Sequence, residues 1–112
     1  MMTKNLTRAE AAGFLLSHDN FCILTHRRPD GDTVGSAAAL CLGLRYLGKN
    51  AYVLENPELT QRYAFLLEDL TRETAEETDT VVAVDVAAAN MLPKAFAGFA
   101  DKVQLRIDHH GS

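Results

Sequence analysis

Four short apolar runs, Phe21–Thr25, Ala51–Leu54, Thr80–Val84 and Val103–Ile107, recur along the chain, separated by stretches too long for hairpin turns. Parallel strands need such long connections, whereas antiparallel neighbours close through a few residues. The stretches between the runs read as helix. Thr7 and Glu10 form a T-x-x-E capping box ahead of Ala11, Phe14, Leu15 and His18 at helical spacing. Residues 36–47 are rich in alanine and leucine, with Gly48 placed to close the helix, and 61–70 are amphipathic. Residues 87–100 have helical composition interrupted by Pro93 and Gly98, so short helical pieces are expected there. The alternation predicts an α/β fold, a doubly wound parallel sheet of about four strands with helices on both faces.

A chain of 112 residues fits one compact domain, and its 47% apolar and 23% charged residues exclude a disordered class. A formal net charge of −4 offers no general field for polyanions, which excludes stable duplex binding and makes any phosphate contact local. Cys22 and Cys41 lack CxxC spacing and lie in apolar segments, where free thiols behave as small buried hydrophobes. Residues 1–10 are polar, without the apolar core of a secretory signal, which predicts a cytoplasmic protein. The longest glycine-free apolar stretch, 37–42, falls far short of the roughly 20 residues that span a bilayer, so no membrane partner is expected.

Ionisable residues stand directly after three of the four expected strands: His26, Asp30 and Asp32, then Asp85, then Asp108, His109 and His110. In an open parallel sheet every strand points the same way, so these residues gather at one carboxyl edge, where ligands of such folds bind. Carboxylates at close quarters raise one another's pKa unless a cation lies between them. Oxygen and imidazole donors without thiolates suit a harder divalent ion such as Mn²⁺, with Mg²⁺ next and Zn²⁺ also admissible.

Taken singly, each cluster has a plainer reading. Pro29-Asp30-Gly31 is a common turn sequence, Asp85 suits a helix cap, and adjacent histidines can simply face solvent. Their joint placement after strands favours the metal reading. Phe14, Phe65, Phe96 and Phe99 are expected in the core, His18 at a helix end, and the acidic run 73–79 in a solvated connection. Arg27 and Arg28 are either phosphate contacts or solvent-exposed.

These residues resemble the DHH family of phosphoesterases, named for the triplet that stands here as Asp108-His109-His110. The run Leu24-Thr25-His26-Arg27-Arg28-Pro29-Asp30-Gly31-Asp32-Thr33-Val34-Gly35-Ser36 is similar to the family's first motif, and Val82-Ala83-Val84-Asp85 to its second. The resemblance implies that His26, Asp30 and Asp85 bind one metal ion and Asp32, Asp85 and His109 a second, with Asp85 as the bridge. It further implies that Asp108 orients the site from behind its ligands and that His110 contacts a phosphate oxygen as the main catalytic group. Gly35 and Ser36, at the expected start of a helix, serve either phosphate binding or close packing.

The implied reaction is hydrolysis of phosphate esters, in short oligonucleotides or nucleoside 3',5'-bisphosphates, by water activated between two metals. Family II inorganic pyrophosphatases usually carry threonine at the position of Gly31 and a basic residue at that of Gly111, so both glycines favour the nucleotide branch. Pyrophosphate hydrolysis and a non-catalytic metal-binding or assembly module are the alternatives. The family's fourth motif, an aspartate, and its C-terminal substrate-binding domain have no counterpart in residues 1–112, so the chain is expected to be the N-terminal part of a catalytic domain, weak or inactive alone. An exposed sheet edge would then favour a homodimer.

Overall fold

The computed structural model describes residues 8–27, 29–76, 79–84, 92–99 and 101–107. Five parallel strands, β1 (Phe21–Thr25), β2 (Ala51–Leu54), β3 (Thr71–Arg72), β4 (Thr80–Val84) and β5 (Val103–Ile107), form one sheet in the order β3-β2-β1-β4-β5. Its α/β architecture is the expected one, with a short fifth strand added. From β1 the chain builds outward through β2 and β3, then returns to the other side of β1 for β4 and β5. The reversal places a topological switch point between β1 and β4.

Strand alternation divides the core in two, with a register shift between Val81 and Val82 carrying Val103 and Leu105 to opposite faces. Phe21, Ile23, Val53, Val82 and Leu105 face α1 (Arg8–Ser17), α2 (Gly31–Tyr46) and α3 (Gln61–Ala64), whereas Cys22, Leu24, Tyr52, Ala83 and Val103 face Leu92 and the 3₁₀ helix Lys94–Phe99. In α1, Ala11, Phe14 and Leu15 pack on the first face, and His18 closes the element with Nδ1 2.7 Å from the Phe14 carbonyl. Thr7, half of the expected capping box, lies outside the described residues.

Helix α2 begins at Gly31, five residues earlier than its composition suggests. Asp30 is its N-cap, and Val34, Ala37, Ala38, Cys41 and Leu44 are buried along one stripe, which outweighs the weak helix propensity of Gly31 and Gly35. Gly48, at φ 83°, ends it as expected. Its N–H donates to Arg45 O at 3.0 Å and the Lys49 N–H to Leu44 O at 3.0 Å, the paired bonds of a Schellman motif.

The helix expected over 61–70 is a short α3 followed by a 3₁₀ turn, Phe65–Leu67. Asp69, at φ 65°, turns the chain onto the β2 edge, where Val53 N donates to Leu70 O and Glu55 N to Arg72 O, both at 2.8 Å. Pairing with β2 thus overrides helical periodicity, and it leaves Phe65 68% exposed rather than in the core. In the acidic run Glu73 and Glu76 are exposed, as expected, whereas Asp79 is partly buried and its Oδ2 accepts from the Tyr52 hydroxyl and from Glu76 N. Burial raises the Cys22 thiol to about 11, and Cys41 is also free, buried and raised. Among the described residues no helix is long and apolar enough to cross a membrane.

Candidate functional site

At the carboxyl edge of the sheet, Thr25 of β1 pairs with Val84 of β4, and Val84 with Ile107 of β5. The last residues of three strands therefore lie side by side, neighbouring strands being about 4.8 Å apart. His26 continues from the first of these ends, Asp85 from the second and Asp108 from the third. Asp85, Asp108, His109 and His110 lie outside the described residues, as does Arg28. Among the described residues, no three of His, Cys, Asp and Glu come together closely enough to hold a metal ion.

Among the described residues of the β1–α2 loop, His26 and Asp30 are each engaged by a backbone group. His26 is partly buried and its Nδ1 lies on the Arg27 carbonyl. A carbonyl can only accept, so Nδ1 is the donor in this contact and Nε2 is the ring nitrogen left for another partner. Asp30 Oδ1 accepts from the Thr33 backbone N–H at 2.9 Å. That bond, aided by the Thr33 hydroxyl and the nearby His26, holds the Asp30 carboxyl below the usual carboxylate range. Asp32 is exposed in the first turn of α2, where the helix dipole favours a negative charge. One imidazole and two carboxylates are donor types that fit a hard or borderline divalent ion, although these three do not converge among the described residues.

The early start of α2 alters the part expected of Gly35 and Ser36. Both lie in the second turn, so the N-terminal backbone donors on which their phosphate role rested belong to Gly31 and Asp32. Close packing does not demand glycine at 35 either, because a Cβ there would meet nothing within 4 Å. At Gly31 a Cβ would lie 3.3 Å from Cε1 of Tyr63.

Two residues of this edge escape a search based on charge. Asn56, just beyond β2, is only 5% exposed and donates through Nδ2 to Thr25 Oγ1 at 2.8 Å and to the His26 carbonyl at 3.1 Å. Tyr63 covers Gly31. Asparagine and tyrosine are not residue types that such a search selects, and the Asn56-Pro57 dipeptide signals only a turn. At the amino edge, by contrast, the acids are occupied in holding the fold: Asp19 Oδ1 accepts from Asn20 N and Asn50 N, and Asp79 from Tyr52. A groove of about 580 Å³ beside β3 is lined in part by Glu55, Glu68 and Asp69, which disfavour an anionic ligand.

Residues 20–112 match the DHH family, N-terminal domain. Over 93 residues the chain is 34% identical to the "Bifunctional oligoribonuclease and PAP phosphatase NrnA" of Thermus thermophilus, an alignment covering 80% of this chain and 28% of that protein. The chain spans less than a third of this relative's length.

Proposed function

The chain belongs to the DHH family, whose N-terminal domain residues 20–112 match, and on that premise we propose that it is part of a longer protein, its intact parent, that hydrolyses phosphate esters in short oligonucleotides or nucleoside 3',5'-bisphosphates. The observation that carries this reading is the register of Thr25, Val84 and Ile107, which sets the three motif-bearing strand ends side by side next to the switch point. The relative's oligoribonuclease and phosphatase activities support the choice of substrate class.

In this proposal His26, Asp30 and Asp85 hold one divalent ion and Asp32, Asp85 and His109 the other, with Mn²⁺ preferred over Mg²⁺ and Zn²⁺. Such a pair supplies an activated water and positive charge for an in-line attack on phosphorus. Asp108 orients the ligand shell from behind, and His110 binds a phosphate oxygen. His26 contributes through Nε2, its Nδ1 hydrogen being engaged by Arg27, and Asp30 stays ionised because Thr33 stabilises its charged form. Any phosphate contact from α2 comes from its first-turn backbone, with Gly35 giving the room for close approach.

Calorimetry with Mn²⁺ on the wild-type chain, Asp85→Ala and His110→Ala tests the assignment. Binding is expected in the wild type, loss in Asp85→Ala and near-normal affinity in His110→Ala, whose defect should appear as lower turnover in the intact parent. Equal loss of metal in both variants would overturn this division of roles. Phosphate release from adenosine 3',5'-bisphosphate by the intact parent supports the substrate class, and turnover of pyrophosphate in its place refutes it.

A further inference from the structure

We infer that Asn56 is a positioning residue that fixes His26 for its role at the carboxyl edge, an inference that rests on the reading of His26 as a metal ligand. A buried amide is costly unless its polar atoms are bonded, and an apolar side chain would fill the same space. Asn56 answers that cost on every side. Nδ2 donates to both Thr25 Oγ1 and the His26 carbonyl, Oδ1 accepts from Glu58 N at 2.9 Å, and the backbone carbonyl accepts from Leu59 N at 3.0 Å. The bond to Glu58 is an Asx turn that locks the Asn56 side chain to its own loop. The locked amide then reaches across from the β2 end to the last residue of β1 and the first residue beyond it.

The bond to the His26 carbonyl matters most for the site. It restrains the His26–Arg27 peptide, and the Arg27 carbonyl of that same segment engages His26 Nδ1. Asn56 therefore acts on the imidazole through the backbone, setting which nitrogen carries hydrogen and where Nε2 is held. The same β2–α3 segment supports the other end of the loop, where Tyr63 lies against Gly31 between Asp30 and Asp32. The segment carries none of the proposed ligands and braces the loop that carries three of them.

Ring ¹⁵N NMR of His26 in the metal-free chain tests this directly, with Mn²⁺ calorimetry as a second readout. The wild type should show a single Nδ1–H tautomer. Asn56→Ala should lose that signature and bind Mn²⁺ about 10- to 100-fold more weakly. Asn56→Asp keeps the shape, can accept from Glu58 N and the Thr25 hydroxyl, and offers the His26 carbonyl no hydrogen, so it should show the same loss if the alanine variant fails to fold. Thr25→Val removes only the strand-side bond and should keep the wild-type tautomer. An unchanged signature in a folded Asn56 variant, or equal loss in Thr25→Val, overturns the inference. If the tautomer changes as expected but the wild type binds no Mn²⁺, the positioning role stands and the metal reading fails.

Discussion

Asp30 caps α2 and is also a proposed ligand, and two substitutions separate these tasks. Asparagine keeps the capping bond without the charge, so Asp30→Asn should lose less stability in urea than Asp30→Ala, which should lose about 1 kcal/mol. Both should weaken Mn²⁺ binding in calorimetry, because neither supplies a carboxylate. The pH dependence follows from the depressed folded pKa of Asp30. Its electrostatic contribution is fully present above the unfolded value of about 3.9 and is lost as pH falls through the lower folded value. The stability gap between wild type and Asp30→Ala should therefore narrow as pH drops below about 4. At the next position, Gly31→Thr places a branched side chain against the Tyr63 ring and should cost about 1–3 kcal/mol. Adding Tyr63→Ala should recover part of that loss in a double-mutant cycle; simple additivity would show that the ring does not restrict residue 31.

At the scale of elements, α2 offers a test in which stability and function move in opposite directions. Gly35 sits in its second turn with open space where a Cβ would project, so Gly35→Ala should raise stability by about 0.5–1 kcal/mol in thermal or urea unfolding. If the glycine gives a phosphate close approach, the same variant should lower phosphate release by the intact parent; undiminished release removes Gly35 from the proposed site. The helix also shows where reading by pattern stops. Pro29, Gly31 and Gly35 suggest irregular backbone, yet Asp30 is a fitting N-cap, and burial of Val34, Ala37 and Cys41 against the sheet sustains the helix through its glycines. β3 leaves no comparable local trace, because two exposed residues become a strand only through β2.

For the whole molecule, the parallel pairing of β1, β4 and β5 sets strand ends that are far apart in sequence side by side along one edge. β5 is the outer strand on the β4 side among the described residues, and we propose that two copies pair there, antiparallel about a two-fold axis. Gel filtration with multi-angle scattering should find a dimer for the 112-residue chain; a strictly monomeric species at high concentration refutes the pairing.

The four longer strands, their parallel direction and the family are legible in the amino-acid order alone, because buried β-strands and motif residues are local patterns: Thr80–Val84 is buried throughout, and the first motif is contiguous. Gly48 as the end of α2 and His18 as a helix-end residue are legible in the same way. Folding in three dimensions was needed to settle that 71–72 joins the sheet, that Phe65 faces solvent, and that Asn56 holds His26. Each of these depends on a partner distant in the chain. A hydrogen bond from residue 56 to residue 26 leaves no periodicity and carries no charge, so it emerges only when the folded sheet brings the β1 and β2 ends together.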